Sequence, residues 1–204
     1  MKNKRYKSGF TLIELLMVIA VVGILAGILI PAIGVVQERA KIAQSKMQLS
    51  NYVNAIQLFK AEYKYYPFPT DANEEFRLTD ASNSQDFIET LSARDANDPS
   101  TRTQGLGNRR FQSFHSFGEK EYFLDPGAGT IDRTRIADAF SNVNIVLLID
   151  TNNDGVVTPQ PLDQSILDDL PDPSNPEIRT TITFYVDTDP NPLGDGNPTY
   201  GLWD

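Results

Sequence analysis

An apolar run, Leu12 to Ala32, broken by one acid, Glu14, and preceded by a basic leader, constrains this chain more than any other feature. As helix it would measure about 32 Å, against about 30 Å for the hydrocarbon core of a bilayer, so it predicts one membrane span. Lys2, Lys4, Arg5 and Lys7 come before it with no acid among them. That bias places the N-terminus in the cytoplasm and the rest of the chain on the far side of the membrane. A plain anchor has no use for Glu14, because an acid inside a bilayer costs about 2.5 to 3.5 kcal/mol even on lenient insertion scales. Such a side chain calls for a partner.

An ordinary secretory signal has its apolar segment ahead of the cleavage site and loses it with the leader. Here the sequence Gly9-Phe10-Thr11-Leu12-Ile13-Glu14 resembles the processing site of type IV prepilins and type II secretion pseudopilins. The resemblance implies a cut between Gly9 and Phe10 by a prepilin peptidase that also methylates the new amine of Phe10. It also implies that Glu14 neutralises the Phe10 amine of a neighbouring subunit during assembly. The bacterial inner membrane would hold the subunit in a single pass before it joins the filament, with the N-terminus cytoplasmic and the head periplasmic.

After the span, Ile42, Leu49, Tyr52, Val53, Ile56, Phe59 and Tyr63 recur at helical spacing, giving one apolar stripe on a continuing stem. The prolines of Tyr65-Tyr66-Pro67-Phe68-Pro69 end it. The division is therefore residues 1–9 as cleaved leader, 10–35 as transmembrane and filament-core helix, 36–66 as amphipathic stem and 67–204 as globular head. Gly23, Gly27 and Pro31 fit close helix packing in an apolar bundle, and equally the ordinary tolerance of membrane helices for these residues. Lys64-Tyr-Tyr-Pro-Phe-Pro-Thr70 looks like the turn that follows the long helix in major pseudopilins. The fold expected is α+β and pilin-like: a long N-terminal helix packed on a small antiparallel sheet.

Within the head, Asn83–Leu91 reads as a short helix with a polar N-cap lying across the sheet. Residues 93–107 read as an exposed polar loop. Arg110–Phe117, Val143–Ile149 and Thr180–Val186 read as strands. Residues 71–139 otherwise match nothing assignable. Trp203 is expected to plug the core beside the stem.

The net charge of −9 argues against nucleic-acid binding by the head and suits divalent cations. Asp150-Thr-Asn-Asn-Asp-Gly-Val-Val-Thr158 reads as a calcium loop, with Asp150, Asn152 and Asp154 offering side-chain oxygens, Val156 a carbonyl and Thr158 a hydroxyl or water. Pro161 stands where an EF-hand has its bidentate Glu, so Asp163 would have to reach back. The alternative is an Asx-rich turn without metal. The chain has no cysteine, so no disulfide staples the head. Major pseudopilins commonly hold calcium in a C-terminal loop, and the resemblance makes Asp187, Asp189, Asp195 and Asn197 a second candidate set. The family's consecutive acids before the closing tryptophan are replaced here by Asn-Pro-Thr-Tyr-Gly-Leu.

Catalysis is not expected: His115, Ser113 and Ser116 sit in no nucleophile setting. Three functions stay open. One is a type II secretion pseudopilus subunit, polymerising with itself and other pseudopilins on an inner-membrane assembly platform and its ATPase to drive protein export. The second is a type IV pilus subunit for adhesion, motility or DNA uptake. The third, of another class, is a membrane-anchored calcium-binding module that never polymerises.

Overall fold

The computed structural model describes residues 11–68, 75–161, 165–168, 170, 172–188 and 198–203, without the side chains of residues 28, 31, 32 and 165. It has two compact units, Met1–Ala40 and Lys41–Asp204.

Helix α1, Leu12–Tyr63, belongs to both units. In the first unit its large apolar side chains are exposed, Leu12 at 86% and Leu29 at 60% among them. Among the described residues no helix is long and apolar enough to cross a membrane. In the second unit the expected stripe is buried. Leu49, Tyr52 and Ile56 join the main apolar cluster, with Ile42 and Val53 packed at its margin. Phe59 is buried among the rings of Tyr63, Tyr65 and Phe114. The helix ends three residues before the position expected from the prolines. Lys64 turns into the left-handed region at φ 69° and its amide closes on the Lys60 carbonyl at 2.8 Å.

A four-stranded antiparallel sheet in the order β1-β4-β5-β6 carries the stem, with β1 Glu75–Arg77, β4 Ile145–Ile149, β5 Ile182–Val186 and β6 Tyr200–Gly201. The central pair sets Ile145 against Val186 and Ile149 against Ile182. Side chains alternate across a strand, so Ile145, Leu147 and Ile149 pack in the cluster holding the stem. Val146, Leu148 and Tyr185 pack in a second cluster with Val157, Ile166, Leu170 and Ile178. Both faces of the sheet are covered, which is why all residues of β4 and β5 are buried.

Helix α2, Ala81–Ser92, starts before the expected Asn83 because Asp80 is its N-cap, accepting from the Ser82 amide, and its first turn holds no acid. It packs against β1 and against β3, which pairs with β2 in a separate hairpin, Tyr122–Leu124 with Ile131–Ile136. The short helix α3 is Ser165–Asp168.

Two expectations are corrected. Arg110–Phe117 is not a strand: Phe111 adopts φ 52°, and the Phe114 and His115 amides both donate to the Leu91 carbonyl at the end of α2. Phe111, Phe114 and Phe117 repeat every third residue, so no pleated strand could put them on one face. Trp203 is no core plug: it is half-buried at the margin of the second cluster, its ring 5.9 Å from that of Tyr185, and it lines an open cavity with Ser50, Val53 and Asn54 of the stem. It lies over Gly201, where an added Cβ would meet the indole at 2.3 Å.

Candidate functional site: a helix terminus and two acidic loops

Gly9 and Phe10 lie outside the described residues. Glu14 lies inside them. The Thr11 amide and hydroxyl both donate to Glu14 Oε2, at 2.8 and 2.7 Å, and the Glu14 amide donates back to the Thr11 hydroxyl at 3.3 Å. This is a reciprocal cap of the first helical turn. It fixes an exposed carboxylate at the helix terminus, where unpaired amides favour negative charge. The Thr-x-x-Glu spacing was the signal available in the sequence for this cap.

The first acidic loop lies directly after β4. Asp150 is buried and accepts the Asn153 amide on Oδ1 at 2.6 Å and the Gly155 amide on Oδ2 at 2.9 Å. Asp154 is exposed; its Oδ1 accepts the Val156 amide at 2.8 Å and its Oδ2 the Asn152 side-chain amide at 2.9 Å. The Asn152 side-chain Oδ1 accepts the Asp154 amide at 2.9 Å. Gly155 at φ +83° and Asn153 at φ 61° make the turn. Asp150 and Asp154 thus stand in one tight loop with Asn152, Val156 and Thr158, and a carboxylate oxygen has acceptor capacity beyond one amide bond. Among the described residues no group of three or more Asp, Glu, His or Cys forms a metal cluster.

Of the second set, Asp189, Asp195 and Asn197 lie outside the described residues. Asp187 is buried and is tied elsewhere. Its Oδ1 accepts the Thr188 amide at 2.8 Å and its Oδ2 lies 3.7 Å from Arg77 Nη1.

Two buried polar networks escaped the sequence reading. Glu75, at the sheet edge, accepts from the Tyr185 hydroxyl at 2.6 Å, the Gln160 amide at 2.8 Å and Arg77 at 2.7 Å. Burial works against the Arg77 cation, but Tyr185, Glu75 and Asp187 outweigh it and raise its pKa, while burial and Glu75 push the Tyr185 hydroxyl well above its ordinary range.

The other network pins the stem. Gln48 donates to the Tyr52 hydroxyl and to the Ala137 carbonyl, both at 2.9 Å; Tyr52 donates to Glu121 Oε2 at 2.7 Å; His115 Nε2 lies 2.9 Å from the same oxygen. Burial raises the Glu121 carboxyl, but His115, the Gly118 amide and Tyr52 outweigh it and hold it below the usual range. Burial and then Glu121 push the Tyr52 hydroxyl well up. His115 is therefore a packing and hydrogen-bonding residue, edge-on to Tyr52 at 5.0 Å.

Comparison with known proteins agrees with this layout. Residues 4–30 match the prokaryotic N-terminal methylation motif. Type II secretion system core protein G of Vibrio cholerae is 31% identical over 133 residues, covering 65% of this chain and 81% of that protein. The proteins of the same name from Pseudomonas aeruginosa and Aeromonas hydrophila are 33% and 34% identical over 65 residues, 32% of this chain and 46% of each relative. The match thus spans less than half the length of those two relatives and about four-fifths of the Vibrio protein. No solved structure matches. With a methylation motif at its start, a reciprocally capped Glu14 and a long helix packed on a small antiparallel sheet, the chain belongs to the type II secretion system core protein G family, the major pseudopilins.

Proposed function

We propose that the chain is a structural subunit of a type II secretion pseudopilus, and that the filament it builds drives protein export. The observation that carries this is the coincidence of the methylation motif over residues 4–30 with a core protein G relative matched over 81% of its length. In this reading a prepilin peptidase cuts between Gly9 and Phe10 and methylates the Phe10 amine. Residues 10–35 hold the subunit in the inner membrane, N-terminus inside and head in the periplasm. Glu14 pairs with the Phe10 amine of an incoming copy, which gives the acid the partner an apolar medium demands. An assembly platform with its ATPase draws subunits into a polymer with other pseudopilins. The type IV pilus and the non-polymerising module are not favoured by the relatives.

The test is direct. Replacement of Gly9 by a bulky residue leaves the leader attached, seen as a heavier chain by mass spectrometry; recovery of a free or methylated Phe10 from that variant would sink the processing site.

The reading extends to calcium. Asp150, Asn152, Asp154, Val156 and Thr158 would hold the ion, which would supply rigidity by binding the folded loop and not the unfolded chain. The C-terminal set with Asp187, Asp189, Asp195 and Asn197 is the competing location. Thermal unfolding of residues 36–204 in calcium and then in chelator decides between them. A gain abolished by Asp154→Ala and kept in Asp195→Ala assigns the first loop, and the reverse pattern the second. No calcium-dependent gain removes the ion from the mechanism.

A further inference from the structure

The charges of the head are segregated. From Pro99 to Gly118 there are three arginines and no acid, whereas after Arg135 the sole base is Arg179. The fold turns this division into two patches. The 102–110 loop is bound to the C-terminal end of the stem: Tyr63 donates to Asn108 at 2.8 Å, Tyr65 to the Gly107 carbonyl at 3.0 Å, and the Arg110 amide to Tyr63 at 3.1 Å. Lys64, Arg102, Arg109 and Arg110 are all exposed there; Glu62 pairs with Arg110, and the exposed Asp98, which accepts from the Ser100 and Thr101 hydroxyls, borders the Arg102 end, so bases outnumber acids in the patch. The exposed acids Asp154, Asp168, Asp172 and Glu177 lie instead on the segments around Val157, Ile166, Leu170 and Ile178, with the exposed Arg179 as the base among them. Those segments cover the face of the sheet opposite the stem.

The geometry points to a heterologous contact in which the basic stem end of one copy meets the acidic layer of the next. This rests on the pseudopilus reading and names the surfaces that would meet in it. The occupant is a second copy because the complement of each patch is carried by the same chain. A chain of net charge −9 repels its own copies in most orientations, so pairing of unlike patches is the approach that electrostatics favours. Two different patches on one subunit generate an open helical series and not a closed dimer. The contact is charge-driven, so salt weakens it.

Charge reversal in the full chain, expressed with its secretion system, tests the contact. Lys64→Glu with Arg109→Glu reverses one side; Asp168→Lys with Glu177→Lys reverses the other. Each pair is expected to cut the yield of sheared filaments about tenfold, and the four changes together to restore most of it. Unchanged yield in both pairs would overturn the contact while leaving the pseudopilus reading intact. Loss in both pairs without recovery in the fourfold variant, when circular dichroism finds that variant folded, also overturns it. A wild-type chain that forms no filaments overturns the function and the contact together. The cysteine-free background adds a positional check: Arg109→Cys with Glu177→Cys should give a crosslinked ladder on addition of a short bifunctional reagent, and each single change should give no band beyond a dimer. A ladder missing from the double variant counts against the contact.

Discussion

One helix meets two environments in this chain. Up to Ala40, α1 leaves Leu12, Leu29 and most other large apolar side chains exposed; beyond Lys41 it buries Leu49, Tyr52, Ile56 and Phe59 almost completely. The stem and head satisfy the hydrophobic effect within one copy. The first segment does not, and under the proposed function lipid or other copies would cover it. Variants in the first segment should therefore change where the chain goes and what it joins, and variants in the second should change whether it folds.

The largest effect expected is at Glu14. Glu14→Ala keeps the chain in the membrane fraction but abolishes filaments; wild-type filament yield in this variant would show that Glu14 serves only as a cap to Thr11. In the head, Tyr52→Ala removes a fully buried ring and the donor to Glu121. A loss of about 3 to 5 kcal/mol follows, with a fall of roughly 10 °C in the melting temperature of residues 36–204. A drop of only a degree or two would mean the stem is held without this residue.

A smaller effect is expected from pH. The folded Glu121 carboxyl is held below its ordinary value of about 4.3, so its stabilising contribution is complete above that value and is lost as pH falls through the lower, folded one. Asp138 runs the other way. Burial raises its carboxyl despite bonds from Tyr200 and loop amides, so its share of stability grows as pH falls. Glu121→Gln should flatten the acid side of the stability curve and leave the Asp138 contribution in place. An unchanged acid limb by calorimetry would rule Glu121 out as its source. The smallest effect belongs to Lys64, whose φ of 69° suits glycine. Lys64→Gly should stabilise the head by about 0.5 to 1 kcal/mol, and a lower melting temperature would show that the lysine's stem contributes more than its backbone strain costs.

The stem was readable because its stripe and its partner, the apolar face of β4 and β5, each carry their own period in the sequence. The leader and Glu14 were readable because an acid in an apolar run is a rare and costly event. Elsewhere the signals were too short or too mixed. Strands β1 and β6 hold three and two residues, less than one cycle of a convincing alternation. In β3 the charged Asp132, Arg133 and Arg135 hide the pairing with β2. Phe111, Phe114 and Phe117 favour a strand by residue type, whereas their spacing of three argues against one shared face. Glu75 and Arg77 gave no warning, since the groups that complete their network, Tyr185 and Asp187, lie more than a hundred positions away.

A filament that pushes places axial shear between each stem and the head it carries. Greasy surfaces resist being pulled apart but slide readily, because their attraction has no preferred direction. The bonds from Gln48 and Tyr52 to Ala137 and Glu121 do have one. They act as a cotter through the joint: a slip of one helical turn would strand the half-buried Glu121 carboxylate, so under the thrust that the proposed function implies the two parts would resist creeping past each other.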